Sequence, residues 1–206
     1  MTARPAHVAA SDCERCRPGL LAQPVNTVSS LTFVVAGAMV VRSLRNGRGP
    51  APVAPSAEVA VGWAAVAAGL GSVAYHGPGT ALGRYVHDAS ILALLGTMTV
   101  ADTVRVTGRP PGRTLPAAVA GASLVAAHPA TSMGAQLASG LAAAAGEAAR
   151  FTSEPASARG RWRRGVEVAV AGTGALAHVL GRTGGPLCRP DNVVQPHAAW
   201  HIAMAV

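Results

Sequence analysis

The sequence predicts an all-α integral membrane protein: a bundle of seven transmembrane helices, N-terminus outside and C-terminus inside. Three observations lead there. Half of the 206 residues are hydrophobic and only 13% are charged, about half the charge of a typical soluble domain. The runs from Pro18 to Val41, Val59 to Gly83 and Thr114 to Gly146 contain no Asp, Glu, Lys or Arg, and roughly 20 residues of helix cross the hydrocarbon. The arginines, finally, crowd into alternate loops. The apolar fraction excludes a disordered chain. A net charge of +8 and a pI near 11.2 would suit a nucleic-acid binder, but cytoplasmic loops of membrane proteins carry the same excess, and no nucleic-acid partner is expected.

The helices are expected at 26–42, 58–76, 84–104, 114–128, 131–149, 165–181 and 196–206, all within one domain spanning 1–206, with 1–25 as an outer segment. The Thr114–Gly146 run is too long for one helix, and Pro129 supplies a break because proline disfavours helix in the residue before it. Asn46–Pro55 and Ser153–Arg164 read as loops. In this topology the inner loops hold 11 arginines (Arg42, Arg45, Arg48, Arg105, Arg109, Arg113, Arg150, Arg159, Arg161, Arg163 and Arg164) and the outer segments six (Arg4, Arg15, Arg17, Arg84, Arg182 and Arg189), as the positive-inside rule requires. The tail lacks the apolar core of a signal peptide, so no cleavage is expected. Only ten residues follow Pro196, about 15 Å of helix. The location implied is a bacterial inner membrane, multi-pass.

Ionisable side chains inside a membrane are costly and mark functional sites. Ser72 and His76 are four apart near the outer end of the second helix and share a face. Asp88 lies near the outer end of the third, and His197 and His201 are four apart at the start of the seventh. The arginine count alone fixed the topology, and it brings these groups to one depth. Three imidazoles with one open position are the arrangement of a catalytic zinc. A carboxylate in reach can take a proton from zinc-bound water, and a hydroxyl can donate to a developing oxyanion. His76, His197 and His201, with Asp88 and Ser72, supply those parts. The bland alternative is a set of interface histidines bonded to carbonyls.

These residues resemble a known family. Ser72-x-x-x-His76 within GLGSVAYH, Asp88, and HAAWH at 197–201 look like the three signatures of the alkaline ceramidases, in the CREST superfamily of intramembrane zinc hydrolases that also includes the adiponectin receptors. DCERC…QPVNTVSSL is similar to the ceramidases' acidic, Cys-containing lead-in: Asn26, Thr27 and Ser29 match, while Ser30 stands where Asn is usual. The stretch from His76 to Asp88 contains Gly-Pro-Gly and is slightly longer than in eukaryotic ceramidases. The resemblance runs from about residue 11 to 206. It implies seven helices, His76, His197 and His201 as zinc ligands, and Ser72 and Asp88 as catalytic partners. The implied activity is hydrolysis of the amide of a ceramide-like or other N-acyl lipid drawn from the bilayer. The alternative within the superfamily is a lipid-responsive receptor or regulator. The family's calcium site implies Asp12 and Glu14 as calcium ligands, with Cys16 and Gln23 near positions where Asn and Glu are expected. The ceramidases' disulfide from the N-terminal segment to the stretch before the last helix implies Cys13 with Cys188, Cys16 being the alternative partner. Nothing here sets an oligomeric state.

Other motifs have ordinary explanations. Cys13-x-x-Cys16 lacks the second pair of a zinc ribbon, and all three cysteines fall outside, where disulfides persist. Gly172-Thr173-Gly174-Ala175-Leu176-Ala177 matches a dinucleotide fingerprint but has no βαβ context; small residues packing a helix explain it. His178 is a candidate to orient a ligand through its ring nitrogen, and Trp200 to pack the site wall. His87 and His128 read as interface or surface histidines. Asp102, Glu147 and Glu167 fall near inner helix ends, where arginines can pair them, and Trp162 reads as an interfacial anchor.

Overall fold

The computed structural model describes residues 7–47, 55–153 and 157–205. All regular structure among them is helical: α1 (Pro24–Ser29), α2 (Leu31–Arg45), α3 (Pro55–His76), α4 (Ala81–Thr107), α5 (Thr114–Ala126), α6 (Pro129–Ser153), α7 (Ala158–Leu180) and α8 (Pro196–Met204). With α1 and α2 counted as one interrupted helix, the number is the seven expected. Pro24–Arg45, Ser56–His76 and Ala81–Thr107 are long and apolar enough to cross a membrane, and Thr114–Ala126 is apolar but shorter.

Local chemistry explains the boundaries. Proline opens α1, α3, α6 and α8, at the position where its missing N–H costs nothing. The first predicted helix is divided at Ser30 because hydroxyls bond back onto the helix: Thr27 Oγ1 donates to the Gln23 carbonyl at 2.7 Å, Ser30 Oγ to that of Asn26 at 2.7 Å, and Thr32 Oγ1 to that of Ser29 at 2.7 Å. Such back-bonding bends helices. The loop expected over Ser153–Arg164 is largely helix instead. α6 runs to Ser153, and α7 starts at Ala158, before the predicted 165. Ser157 opens it, its Oγ accepting the Gly160 N–H at 3.2 Å and its carbonyl the Arg161 N–H at 2.9 Å; a serine cap followed by arginines is good helix-starting sequence. Residues 48–54 and 154–156, with Arg4, Arg48 and the Arg150 side chain, lie outside the described set.

The chain forms two compact units. The first comprises Met1–Phe33, Gly69–His87 and Gly165–Val206, the second Val34–Ala68 and Asp88–Arg164. In the first unit α1 packs on α8, and Gly174 of α7 faces α8 so closely that an added Cβ would lie 2.5 Å from that of Ala203. The Gly-x-Gly motif is therefore a helix contact. In the second unit a Cβ on Gly37 would stand 2.4 Å from the Gly62 carbonyl, so two glycines set the crossing of α2 and α3. Ala57, Ala101 and Val104 form a small core with Val61 and Val100. Arg105 donates to Glu58 at 3.1 Å and lies 3.8 Å from Asp102, the latter being the pairing expected for Asp102.

Candidate metal centre

The first unit brings three histidines together. His76 ends α3, and His197 and His201 occupy successive turns of α8; all three are buried, and one ring nitrogen of each lies within 4.8 Å of the others. This is the only such group of metal-binding side chains among the described residues.

The hydrogen bonds set which nitrogen faces the centre. Gln23 is fully buried, and its Nε2 donates to the carbonyls of Ala9 at 2.9 Å and Glu14 at 2.8 Å. That fixes its amide orientation and turns Oε1 toward His76 Nδ1 at 2.8 Å. An amide oxygen only accepts, so His76 carries its proton on Nδ1 and keeps a lone pair on Nε2. His201 follows the same logic. Ser29 Oγ gives its proton to the Asn26 carbonyl at 3.0 Å and receives one from His201 Nδ1 at 2.9 Å. For His197, Nδ1 meets His178 Nδ1 at 3.0 Å and Asp12 Oδ1 at 3.8 Å. The Nε2 atoms of His76 and His197 are buried and make no hydrogen bond. Histidines held by one nitrogen with the other aimed at a common point are arranged as metal ligands usually are, so the set fits a metal ion.

Around this centre, α8 begins at Pro196 after Gln195, whose side chain donates to the carbonyls of Arg189 and Asn192 at 3.1 and 2.5 Å. Trp200 tilts over His178 at 5.3 Å between ring centres, a partner for the second histidine. Phe33 meets His201 edge-on at 6.0 Å. His87 stacks on Tyr75 at 4.5 Å.

Ser72 lies one turn before His76 on α3, buried, and its Oγ has no hydrogen-bond partner. Asp88 falls in the second unit, where it is buried and its carboxylate accepts a hydrogen bond from Ser132 Oγ at 2.9 Å.

Asp12 and Glu14 do not fit a calcium ion, which takes about 6–8 oxygen ligands. Glu14 uses both carboxylate oxygens on the N–H groups of Val25 and Asn26, at 2.8 Å each, capping α1 from outside the helix. Asp12 pairs with Arg182 at 3.2 Å, while burial pushes its carboxyl above the ordinary range. Between the Ala9 and Glu14 carbonyls sits the Gln23 amide nitrogen, a donor where a cation would need oxygens.

The N-terminal segment is tied to the loop before α8. Cys13 and Cys188 form a disulfide with Cα atoms 5.5 Å apart, and Cys16 is free. Arg15 donates through its backbone to the Pro190 carbonyl at 2.9 Å and through its side chain to Asp191 at 2.5 and 2.6 Å. Asp191 is held below the ordinary carboxylate range by that guanidinium. The sequence marked Gln23 only as a departure from a calcium motif and Ser29 only as a match; their signal was the polar run Gln23 to Ser30 inside an apolar stretch. Comparison with protein-family models, curated proteins and solved structures gives no match for this chain.

Proposed function

We propose that this chain is a multi-span membrane hydrolase that holds one zinc ion at His76, His197 and His201 and cleaves the amide of a ceramide-like or other N-acyl lipid. The observation that carries the reading is the convergence of three buried imidazoles, each held through Nδ1 by another side chain. Imidazole suits zinc, and three histidines with an open fourth position are a catalytic pattern. The membrane setting is supported by an inverted distribution of side chains. Val28, Leu31, Val35 and Met39 form an exposed stripe at helical spacing, as do Met133, Leu137 and Leu141, while Asn26, Ser30, Ser72, His76, Thr97 and Gln195 are buried. Apolar stripes of this length suit lipid better than water. The orientation, N-terminus outside and C-terminus inside, rests on the arginine distribution.

Zinc, when bound, polarises a carbonyl and lowers the pKa of a bound water toward about 7. The chain's own residues supply the rest. Gln23 and Ser29 hold His76 and His201 in the tautomer that leaves Nε2 unprotonated. Ser72 Oγ has its proton available for a developing oxyanion. The resemblance to the ceramidases assigns Asp88 the proton transfer: acceptance from water, then donation to the leaving amine. Purified protein is expected to contain about one zinc, and His197→Ala with His201→Ala to lose it. Fatty acid is expected to appear from a short-chain ceramide or a simpler N-acyl amine. Full zinc retention in the double variant defeats the metal assignment. Zinc-loaded protein that releases no fatty acid from neutral to alkaline pH moves the reading to a lipid-responsive receptor.

A further inference from the structure

Lipid-facing helix stripes account for most exposed apolar side chains, but not for those on loops. Leu20 and Leu21 lie before α1 and are 80% and 57% exposed; Val193 and Val194 lie before α8 and are 78% and 73% exposed. All four belong to the first unit.

The two loops are stapled at their bases by the Cys13–Cys188 disulfide, the Arg15 N–H to the Pro190 carbonyl, and the paired Arg15 and Asp191 side chains. The Arg17 N–H reaches the Ala22 carbonyl at 2.8 Å, closing a turn around Gly19, which has φ +115°. At the other loop the Gln195 side chain ties down Arg189 and Asn192. Each tip therefore presents adjacent aliphatic side chains from a braced base. Exposed Arg17 and Arg189 lie in the same two loops, a few residues before the aliphatic pairs. Exposed aliphatic groups with arginines nearby in the chain are the chemistry of a segment seated at the headgroup and acyl boundary, where arginine reaches lipid phosphate.

We propose that these loops form a lip that dips into the bilayer on the side of the N-terminal segment. This rests on the membrane reading above and adds where lipid meets the metal centre. The first loop runs directly onto the end of α3: the Ala22 and Gln23 N–H groups donate to the carbonyls of Gly77 and His76, both at 3.1 Å. The second loop runs into Pro196 and His197. An amphiphile lying along the lip would have its polar portion beside the ends of α3 and α8 that carry the three histidines.

The test is spin labelling of the full chain in phosphatidylcholine–phosphatidylglycerol vesicles. Cys16→Ser removes the free thiol; Leu20→Cys and Val193→Cys place a label on each tip separately, with the native disulfide kept. Val35→Cys, on the exposed stripe of α2, is the bilayer reference. Relaxation by oxygen against a water-soluble nickel chelate reads the depth of each label. Both tips are expected to show an oxygen-to-nickel ratio several-fold above free label in buffer, approaching the value at Val35. A buffer-like ratio at both tips, with Val35 in the bilayer, overturns the lip. Dipolar broadening at the tips means a second copy of the chain covers them, and also overturns it. Buffer-like ratios at all three positions take the membrane reading down with the lip.

Discussion

His76 owes its tautomer to Gln23. Gln23→Leu removes the acceptor of the His76 Nδ1 proton and also frees the Ala9 and Glu14 carbonyls. Loss of such a partner typically weakens metal binding by about 10–100-fold, and titration of zinc against a competing chelator is expected to show this for Gln23→Leu and, less severely, for Ser29→Ala. Unchanged affinity in both would mean that packing alone orients the ligands. The two catalytic candidates differ in kind. Asp88→Asn is expected to keep zinc and lower fatty-acid release by about 10²–10⁴-fold, the usual cost of removing a general base. Ser72→Ala is expected to cost at most about 10²–10³-fold, as for one oxyanion donor. Zinc loss in Asp88→Asn would make that carboxylate structural. The histidine cluster was legible because two of its three members are one helical turn apart and polar groups on three helices shared a predicted depth. The hydrogen-bonding residues behind them were not, because amides and hydroxyls serve helix ends, turns and ligands alike, and only the fold says which.

Among the elements, crossings are set where backbone meets backbone. Gly37 and Gly62 leave no room for a Cβ between α2 and α3, so Gly37→Val is expected to cost about 1–3 kcal/mol through overpacking. A lower midpoint in detergent melts, against a control such as Gly140→Ala where a Cβ meets open space, would register it. The helix count was readable from the apolar runs, and apart from the start of α7 the expected boundaries fall within about four residues of those observed. The two misjudged places share a cause: polar residues read as loop when they serve a helix. Arginines after Ser157 continue α7, and hydroxyls after Gln23 accompany the interruption between α1 and α2 at Ser30.

At the scale of the whole molecule, the disulfide closes a separation of 175 residues. A native bridge typically stabilises by about 2–4 kcal/mol, and reductant is expected to lower the melting midpoint accordingly. Non-reducing peptide mapping should recover Cys13 joined to Cys188. Cys16 then reports orientation directly. An impermeant maleimide should reach it in intact cells, before any reduction, if the N-terminal segment faces outward; reaction only after lysis would reverse the topology. Burial raises the Cys16 thiol above its ordinary pKa, so less thiolate is present at neutral pH. Labelling should accelerate as pH rises, and keep accelerating beyond the point where an ordinary thiol has levelled off.

The first unit is gathered from three stretches of chain that lie far apart in sequence, and its three clustered histidines come from the second and third. This fixes an order of events during synthesis. While α4 to α6 emerge from the ribosome, His76 has no companions, and a metal ion meeting it then finds a single imidazole of ordinary weak affinity. The triad comes into being only when α8 has been made and docked against α1. On the metal-centre reading proposed above, capture of the ion waits for α8, and a chain stalled on the ribosome before α8 is expected to carry no bound metal.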